Sequence, residues 1–349
     1  MTKLVFFGLD EHEQDVVRDA FARESGYDIE LHSEPLTIEN ASLAGDADGI
    51  GVFVTSHVTR EVLDRLPSLK MVAAVSTGFD NIDVDACRER NIAVCNVPHY
   101  GEATVAEFAF GLILALARKF RPMFARTARG DFSRTGLQGM DLNGKTLGLI
   151  GTGRIGSHLA RIAHGAGMNV VAYDPHQKPA LTEEYGVRYL SLDDIFRQAD
   201  VISLHVPYTK DTHHLVNAER LHLTRDTTLL INTSRGGVVD TRAVATALNE
   251  GRLGGVALDT FEGEEVWIEE EFAGAGEPPA AELKEALESF AILHSDRAIL
   301  SPHNAFNTRE ALERILATSI ENIRAFFAGN PQNVVAGTYR VPVPAGGRK

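Results

Sequence analysis

The sequence predicts an α/β chain made of two doubly wound parallel sheets. Three observations carry that reading. Short apolar runs alternate with helix-patterned segments along most of the chain, and such alternation implies parallel strands with helices on both faces. One apolar run, 147–150, enters Gly151-Thr152-Gly153-Arg154-Ile155-Gly156, and a second, 170–173, ends in Asp174. That is the strand, tight turn, helix, strand and acid of a dinucleotide-binding Rossmann unit. The chain has 349 residues, more than one hydrophobic core usually serves, so two domains are expected.

Residues 3–8 read as the first strand and 11–25 as the first helix. Further strands fall at 27–32, 49–54, 71–75 and 92–95, with a helix at 60–66. These make a parallel α/β domain of about 100 residues. Residues 104–119 are apolar and helix-favouring, broken only by Gly111, and suit a buried connecting helix. A polar turn at 141–145 opens the fingerprint strand. The second sheet continues with strands at 201–205, 228–232 and 255–259 and helices at 193–198 and 242–249. Residues 262–296 read as an acidic insertion containing Trp267 and a helix at 280–290, before a last strand at 298–301. The amphipathic helix 309–328 is expected back on the N-terminal domain, which makes that domain discontinuous. The tail after Asn330 is expected to be mobile.

Composition narrows the function. Hydrophobic residues are 44%, charged residues 23%, and the net charge is −14. No basic patch marks a nucleic-acid partner, and no apolar run has the length of a membrane span. Met1-Thr2-Lys3 leads straight into a strand-like run, so no signal peptide is expected. Cys87 and Cys95 lack metal-ligand spacing. No metal is expected, and a reduced, cytoplasmic setting is.

The fingerprint names a cofactor. Gly151 allows the tight turn, Gly153 lets backbone approach a pyrophosphate, and Gly156 lets helix pack on strand. The helix N-terminus near Arg154 and Ile155 offers free N–H groups to phosphate. Asp174, about 20 residues on, accepts from ribose hydroxyls and repels a 2′-phosphate, so NAD is expected over NADP.

Chemistry is expected at the carboxyl ends of the strands. Arg235 follows one strand, Asp259, Glu262 and Glu264 follow the next, and His303 follows the last. Histidine gives a proton to a developing alkoxide near neutral pH. A carboxylate behind it fixes the tautomer, and an arginine grips a substrate carboxylate bidentately. Those are the parts needed for hydride transfer to a 2-keto acid.

With these motifs in place, the chain resembles the D-isomer-specific 2-hydroxyacid dehydrogenase family over essentially its whole length. The motifs are 151–156 with Asp174, Asn232 to Asp240, Asp259 to Glu264, and Ser301-Pro302-His303. The resemblance implies Arg235, Glu264 and His303 as a catalytic trio. It implies Asp259 at the nicotinamide carboxamide and adds Pro207, Thr212 and Thr233 to the cofactor residues. It implies a flavodoxin-like substrate domain at 1–103 and 300–349, an NAD domain at 104–299, and a homodimer. Within the family the chain looks most like the D-lactate dehydrogenase branch. Tyr100 stands where that branch meets the substrate carboxylate, Phe306 where it covers a small side chain, and the spacing from Glu264 to His303 is long. Amides around Thr77 and Gly78 would cradle the carboxylate. Phe79 and the acidic insertion depart from the pattern. Pyruvate is therefore the expected substrate. The alternatives are glyoxylate, hydroxypyruvate or branched or aromatic 2-keto acids, or a non-catalytic NAD sensor resembling corepressors of this fold.

Overall fold

A computed structural model describes residues 1–264, 292 and 295–336. The expected helix at 280–290 and Trp267 lie outside these residues. The chain divides into two compact units, one of Met1–Tyr100 with the residues from Thr308 onward, the other Gly101–Asn307.

The first unit is built from β1 (Thr2–Phe7), α1 (Glu11–Phe21), β2 (Tyr27–Leu31), β3 (Gly49–Val52), α2 (Arg60–Asp64), β4 (Met71–Ala74), α3 (Val84–Glu89) and β5 (Ala93–Cys95). With β13 (Val334–Ala336), its sheet runs β13-β5-β4-β3-β1-β2. The central strands β3 and β4 are buried at every position, as strands covered on both faces require. Asp10 starts α1 with a reciprocal capping box to Glu13, satisfying two orphan donors. Helix α11 (Arg309–Phe327), capped by Thr308, buries Ile315, Leu316, Ile320, Ile323 and Phe326 and packs on β4 and α1.

The start of the C-terminal tail departs from expectation. β13 (Val334–Ala336) pairs antiparallel with β5. Buried Asn322 donates to Asn96 O (2.8 Å) and accepts from Asn333 Nδ2 (2.8 Å). Asn96 N in turn donates to Asn333 O (3.1 Å). Three asparagines thus fasten the segment that composition alone marks as loose.

The second unit holds α4 (Glu102–Ala117), α5 (Phe120–Thr127), β6 (Thr146–Ile150), α6 (Arg154–Gly165), β7 (Asn169–Tyr173), α7 (Pro179–Tyr185), β8 (Arg188–Tyr189) and α8 (Leu192–Gln198). It continues through β9 (Val201–Leu204), α9 (Ala218–Leu221), β10 (Leu229–Asn232), α10 (Thr241–Asn249), β11 (Gly255–Leu258) and β12 (Ala298–Leu300). The seven strands among the described residues are all parallel, in the order β12-β11-β10-β9-β6-β7-β8. The pleat sends Ile150, Ile202, Leu230 and Val256 into one core and Leu149, Val201, Ile231 and Ala257 into the other. The order reverses between β6 and β9, and ligands of such sheets bind in the crevice at that point. The α7–β8 excursion was not anticipated, although Pro179 at the helix start and left-handed Gly186 at its end are ordinary helix punctuation.

Among the described residues no helix is long and apolar enough to cross a membrane, and no His, Cys, Asp and Glu group could hold a metal ion. Cys87 and Cys95 are buried free thiols, and burial pushes both up to about 12.

Candidate active site

The glycine loop is built as its sequence demands. Gly151 has φ +96°, and a Cβ there would lie 2.3 Å from His205 O. A Cβ on Gly156 would lie 2.1 Å from Gly151 O, so only glycine lets α6 sit this close to the turn. Gly153 is the N-cap of α6, has no side-chain cap, and has open space beside it. The first-turn amides of Arg154, Ile155 and Gly156 therefore lack intrahelical acceptors and point at an anion site. The Arg154 side chain stands 4.0 Å from Glu102.

Asp174 sits at the end of β7. Its Oδ2 accepts from Thr152 N (2.7 Å) and Thr152 Oγ1 (3.1 Å), and its Oδ1 from His176 N (2.7 Å). Burial raises its pKa, but the His176 and Thr152 donors outweigh burial and hold the carboxyl below its usual range. It is therefore an anion at neutral pH. Thr212 Oγ1 donates to Pro207 O (2.6 Å), closing the turn after β9. Thr233 Oγ1 at the end of β10 is buried and has no hydrogen-bond partner among the described residues. An uncapped helix start, an anionic carboxylate beside it and an orphaned hydroxyl on a neighbouring strand end fit NAD.

The trio comes from the ends of β10, β11 and β12, which are neighbours in the sheet. Each loop is tied to the next. Fully buried Asn232 donates to Arg235 O (2.9 Å) and Thr260 O (3.1 Å). Its Oδ1 accepts from Ser234 N (3.0 Å) and Ser234 Oγ (2.6 Å). Arg235 Nη1 donates to Ser234 O (2.8 Å). Glu264 Oε2 accepts from Phe261 N (3.0 Å), while Oε1 stands 3.4 Å from His303 Nδ1. That separation suits an ion pair and is longer than a tight hydrogen bond, as catalytic contacts often are without substrate. The His303 and Glu264 side chains are 27% and 16% exposed, so the pair is sheltered but reachable.

His303 adopts φ +50°, a left-handed conformation costly for a residue with a Cβ. Asp259 over-determines it. Asp259 O accepts from His303 N (2.9 Å). Its carboxylate, in a residue only 1% exposed, accepts from Ser301 Oγ (2.6 Å), Asn304 N (2.8 Å) and Ala305 N (2.9 Å). The Asp259 carboxylate thereby anchors the histidine loop. Phe306 meets His303 edge-on, with ring centroids 6.4 Å apart.

In the first unit, Ser76 Oγ donates to Gly78 O (2.6 Å), Thr77 Oγ1 to Val97 O (2.6 Å) and Asn96 Nδ2 to Thr77 O (2.7 Å). These bonds occupy the carbonyls of Thr77 and Gly78. Their amides make no hydrogen bond among the described residues, which leaves two adjacent donors for an anion. Tyr100 O accepts from Arg314 Nε (2.6 Å).

Several positioning residues escaped the sequence reading. Thr152 and Tyr189 brace Asp174, and Asn232 braces Arg235. His214 Nε2 lies 2.5 Å from Glu262 Oε1, and Glu262 Oε2 accepts from Thr241 N at the start of α10 (3.0 Å). The fingerprint acid marks Thr152 as a neighbour, but nothing local marks Tyr189.

Residues 110–305 match the family model described as D-isomer specific 2-hydroxyacid dehydrogenase, NAD binding domain. A 2-hydroxyacid dehydrogenase homolog of Zymomonas mobilis is 39% identical over 307 residues, covering 87% of this chain and 91% of that protein. A glyoxylate reductase of Thermococcus litoralis is 36% identical, covering 89% and 91%. Among solved structures, D-lactate dehydrogenase from Aquifex aeolicus complexed with NAD and lactic acid superposes with a TM-score of 0.85 at 35% identity, covering 96% of this chain and all of that one.

Proposed function

The chain belongs to the D-isomer-specific 2-hydroxyacid dehydrogenases, NAD-dependent oxidoreductases, and on that premise we propose that it reduces pyruvate to D-lactate. One observation carries the choice of substrate. The Phe306 ring stands edge-on to His303, an aromatic wall beside the proton donor that favours a short side chain. The likeness to a D-lactate dehydrogenase holding lactic acid supports it.

Bound NADH supplies the hydride. Glu264 faces Nδ1 of His303, which fixes that nitrogen as N–H and leaves Nε2 to protonate the keto oxygen as it becomes an alcohol. Arg235, its backbone held by Asn232, receives the substrate carboxylate and polarises the keto group. On the family resemblance Thr77, Gly78 and Tyr100 are assigned to substrate binding, and Arg154, Ile155, Pro207, Thr212 and Thr233 to the dinucleotide. A homodimer belongs to the same proposal, and a sedimentation mass of one chain would overturn it.

The second reading is glyoxylate, which the likeness to a glyoxylate reductase favours. The test is NADH oxidation against glyoxylate, pyruvate, 2-ketobutyrate, 2-ketoisocaproate and phenylpyruvate, with product chirality determined. A maximum at pyruvate with D-lactate as product supports the proposal. A maximum elsewhere, or L-lactate, overturns it.

A further inference from the structure

The β7–α7 connection carries a cation that the dinucleotide fingerprint does not include. Lys178 Nζ donates to Gly153 O (3.0 Å) and to Ser157 Oγ (3.0 Å). The acceptors are the N-cap residue of α6 and a residue of its first turn. A cation at a helix N-terminus opposes the helix dipole, so the placement gains from an anion in the same space. An ammonium has three protons. Two are used here, and no carboxylate lies within ion-pair distance of Nζ among the described residues.

Asp174 grips the adjoining residue. The carboxylate takes the N–H and hydroxyl of Thr152 while the ammonium takes the carbonyl of Gly153. Tyr189 joins the two. Its hydroxyl accepts from Lys178 N (2.9 Å) and donates to Thr152 Oγ1 (3.1 Å), which donates on to Asp174 Oδ2. The relay sets the backbone of Lys178 from β8, and the glycine loop sets its charged tip. Opposite charges are thereby fixed on consecutive residues of one loop.

A dinucleotide whose ribose hydroxyls meet Asp174 brings its 2′ position to this pair. A phosphate there would face the like charge of Asp174 and the opposite charge of Lys178. We propose that Lys178 is the phosphate-accepting half of a mixed-charge clamp, positioned by Tyr189, so that the enzyme accepts the 2′-phosphorylated dinucleotide as well as NADH. Asp174 and Lys178 then set the discrimination between them by opposition. The inference rests on the NAD site and is independent of which keto acid is reduced.

Its test is direct fluorescence titration of the full chain with NADH and NADPH, without keto acid. Lys178→Ala is expected to raise the ratio of Kd(NADPH) to Kd(NADH) about tenfold, the scale of one lost charge-assisted hydrogen bond at a part-exposed site. Asp174→Ala is expected to lower the ratio by a similar factor. Adding Lys178→Ala to Asp174→Ala should raise it again. Lys178→Arg should hold the ratio near wild type, and Tyr189→Phe should raise it by less than Lys178→Ala does. Lys178 is part-exposed, so these variants should fold. An unchanged ratio in Lys178→Ala overturns the proposal. So does an equal loss for both dinucleotides, which would give Lys178 a role that ignores the 2′ position. Wild type that binds neither dinucleotide would overturn the NAD site itself, whereas a different preferred keto acid would leave the clamp standing.

Discussion

Asp259→Ala separates a structural anchor from a cofactor contact. The wild-type carboxylate satisfies Ser301 Oγ, Asn304 N and Ala305 N at a position 1% exposed. Removing it strands three donors. An unsatisfied buried donor costs about 1–3 kcal/mol, and water entering the vacated space recovers part of that, so the sum is about 3–5 kcal/mol, the range for breaking a buried charged contact. At about 2–4 °C per kcal/mol for a unit of this size, Tm should fall by about 10 °C. Asp259→Asn keeps one acceptor oxygen but turns an NH2 toward another donor, and should cost about 2 kcal/mol. Both variants loosen the loop around the strained backbone of His303, leaving only its main-chain bonds to Asp259 O and Ser301 O. A displacement of about 1 Å at a reacting group costs on the order of 100-fold in rate, so kcat should drop steeply while Kd for NADH stays within about threefold. The assay pairs thermal unfolding with kcat and NADH titration on each variant. Wild-type Tm and kcat in Asp259→Ala would refute the anchor argument. A loss of NADH affinity at unchanged Tm would replace the anchor with a carboxamide contact.

Three further outcomes follow from the same geometry. His303→Ala should lower kcat/KM by about 10²–10⁴ with NADH affinity retained, and an equal loss of affinity and turnover would remove its acid/base role. Gly156→Ala forces a Cβ to within 2.1 Å of Gly151 O. The overpacking of about 1–3 kcal/mol should weaken NADH binding about 10- to 100-fold, and unaltered titration would show that α6 moves freely. Burial pushes the His205 imidazole down to about 4, against about 6.5 in the unfolded chain. The unfolded chain therefore binds a proton through that window while the folded chain does not, so stability is full above pH 6.5 and falls toward pH 4, by at most about 3 kcal/mol. Urea midpoints at pH 7.5 and 4.5 should differ less in His205→Gln than in wild type, and equal differences would refute the assignment.

The sequence was most legible where function and local pattern coincide. Gly151 and Gly156 announce their roles because each answers a backbone constraint. Arg235, Glu264 and His303 are legible because each follows an apolar run, and parallel strands place such positions at one edge. The supporting contacts are non-local and leave no periodic trace. Asp259 draws its donors from residues 42 to 46 positions away. Tyr189 sits on a two-residue strand, too short for any alternation, and reaches Thr152 across 37 positions. The pairing of β13 is invisible for the same reason, since Asn333 finds its partners at Asn322 and Asn96 only after the chain has folded.

The position of β12 bears on how this enzyme would fail. Among the described residues it is the edge strand of its sheet, three residues long, with only Ala298 buried, and His303 hangs from its end. Edge elements of this kind open at lower free energy than the sheet interior. Peeling β12 from β11 would carry the histidine away from Glu264 and leave the inner strands β9, β6 and β7 paired. Catalysis would then be lost in a sub-global step, and heat-inactivated enzyme could still hold most of its helix signal and its dinucleotide. Activity in this chain reports on the health of one edge, whereas circular dichroism reports on the whole.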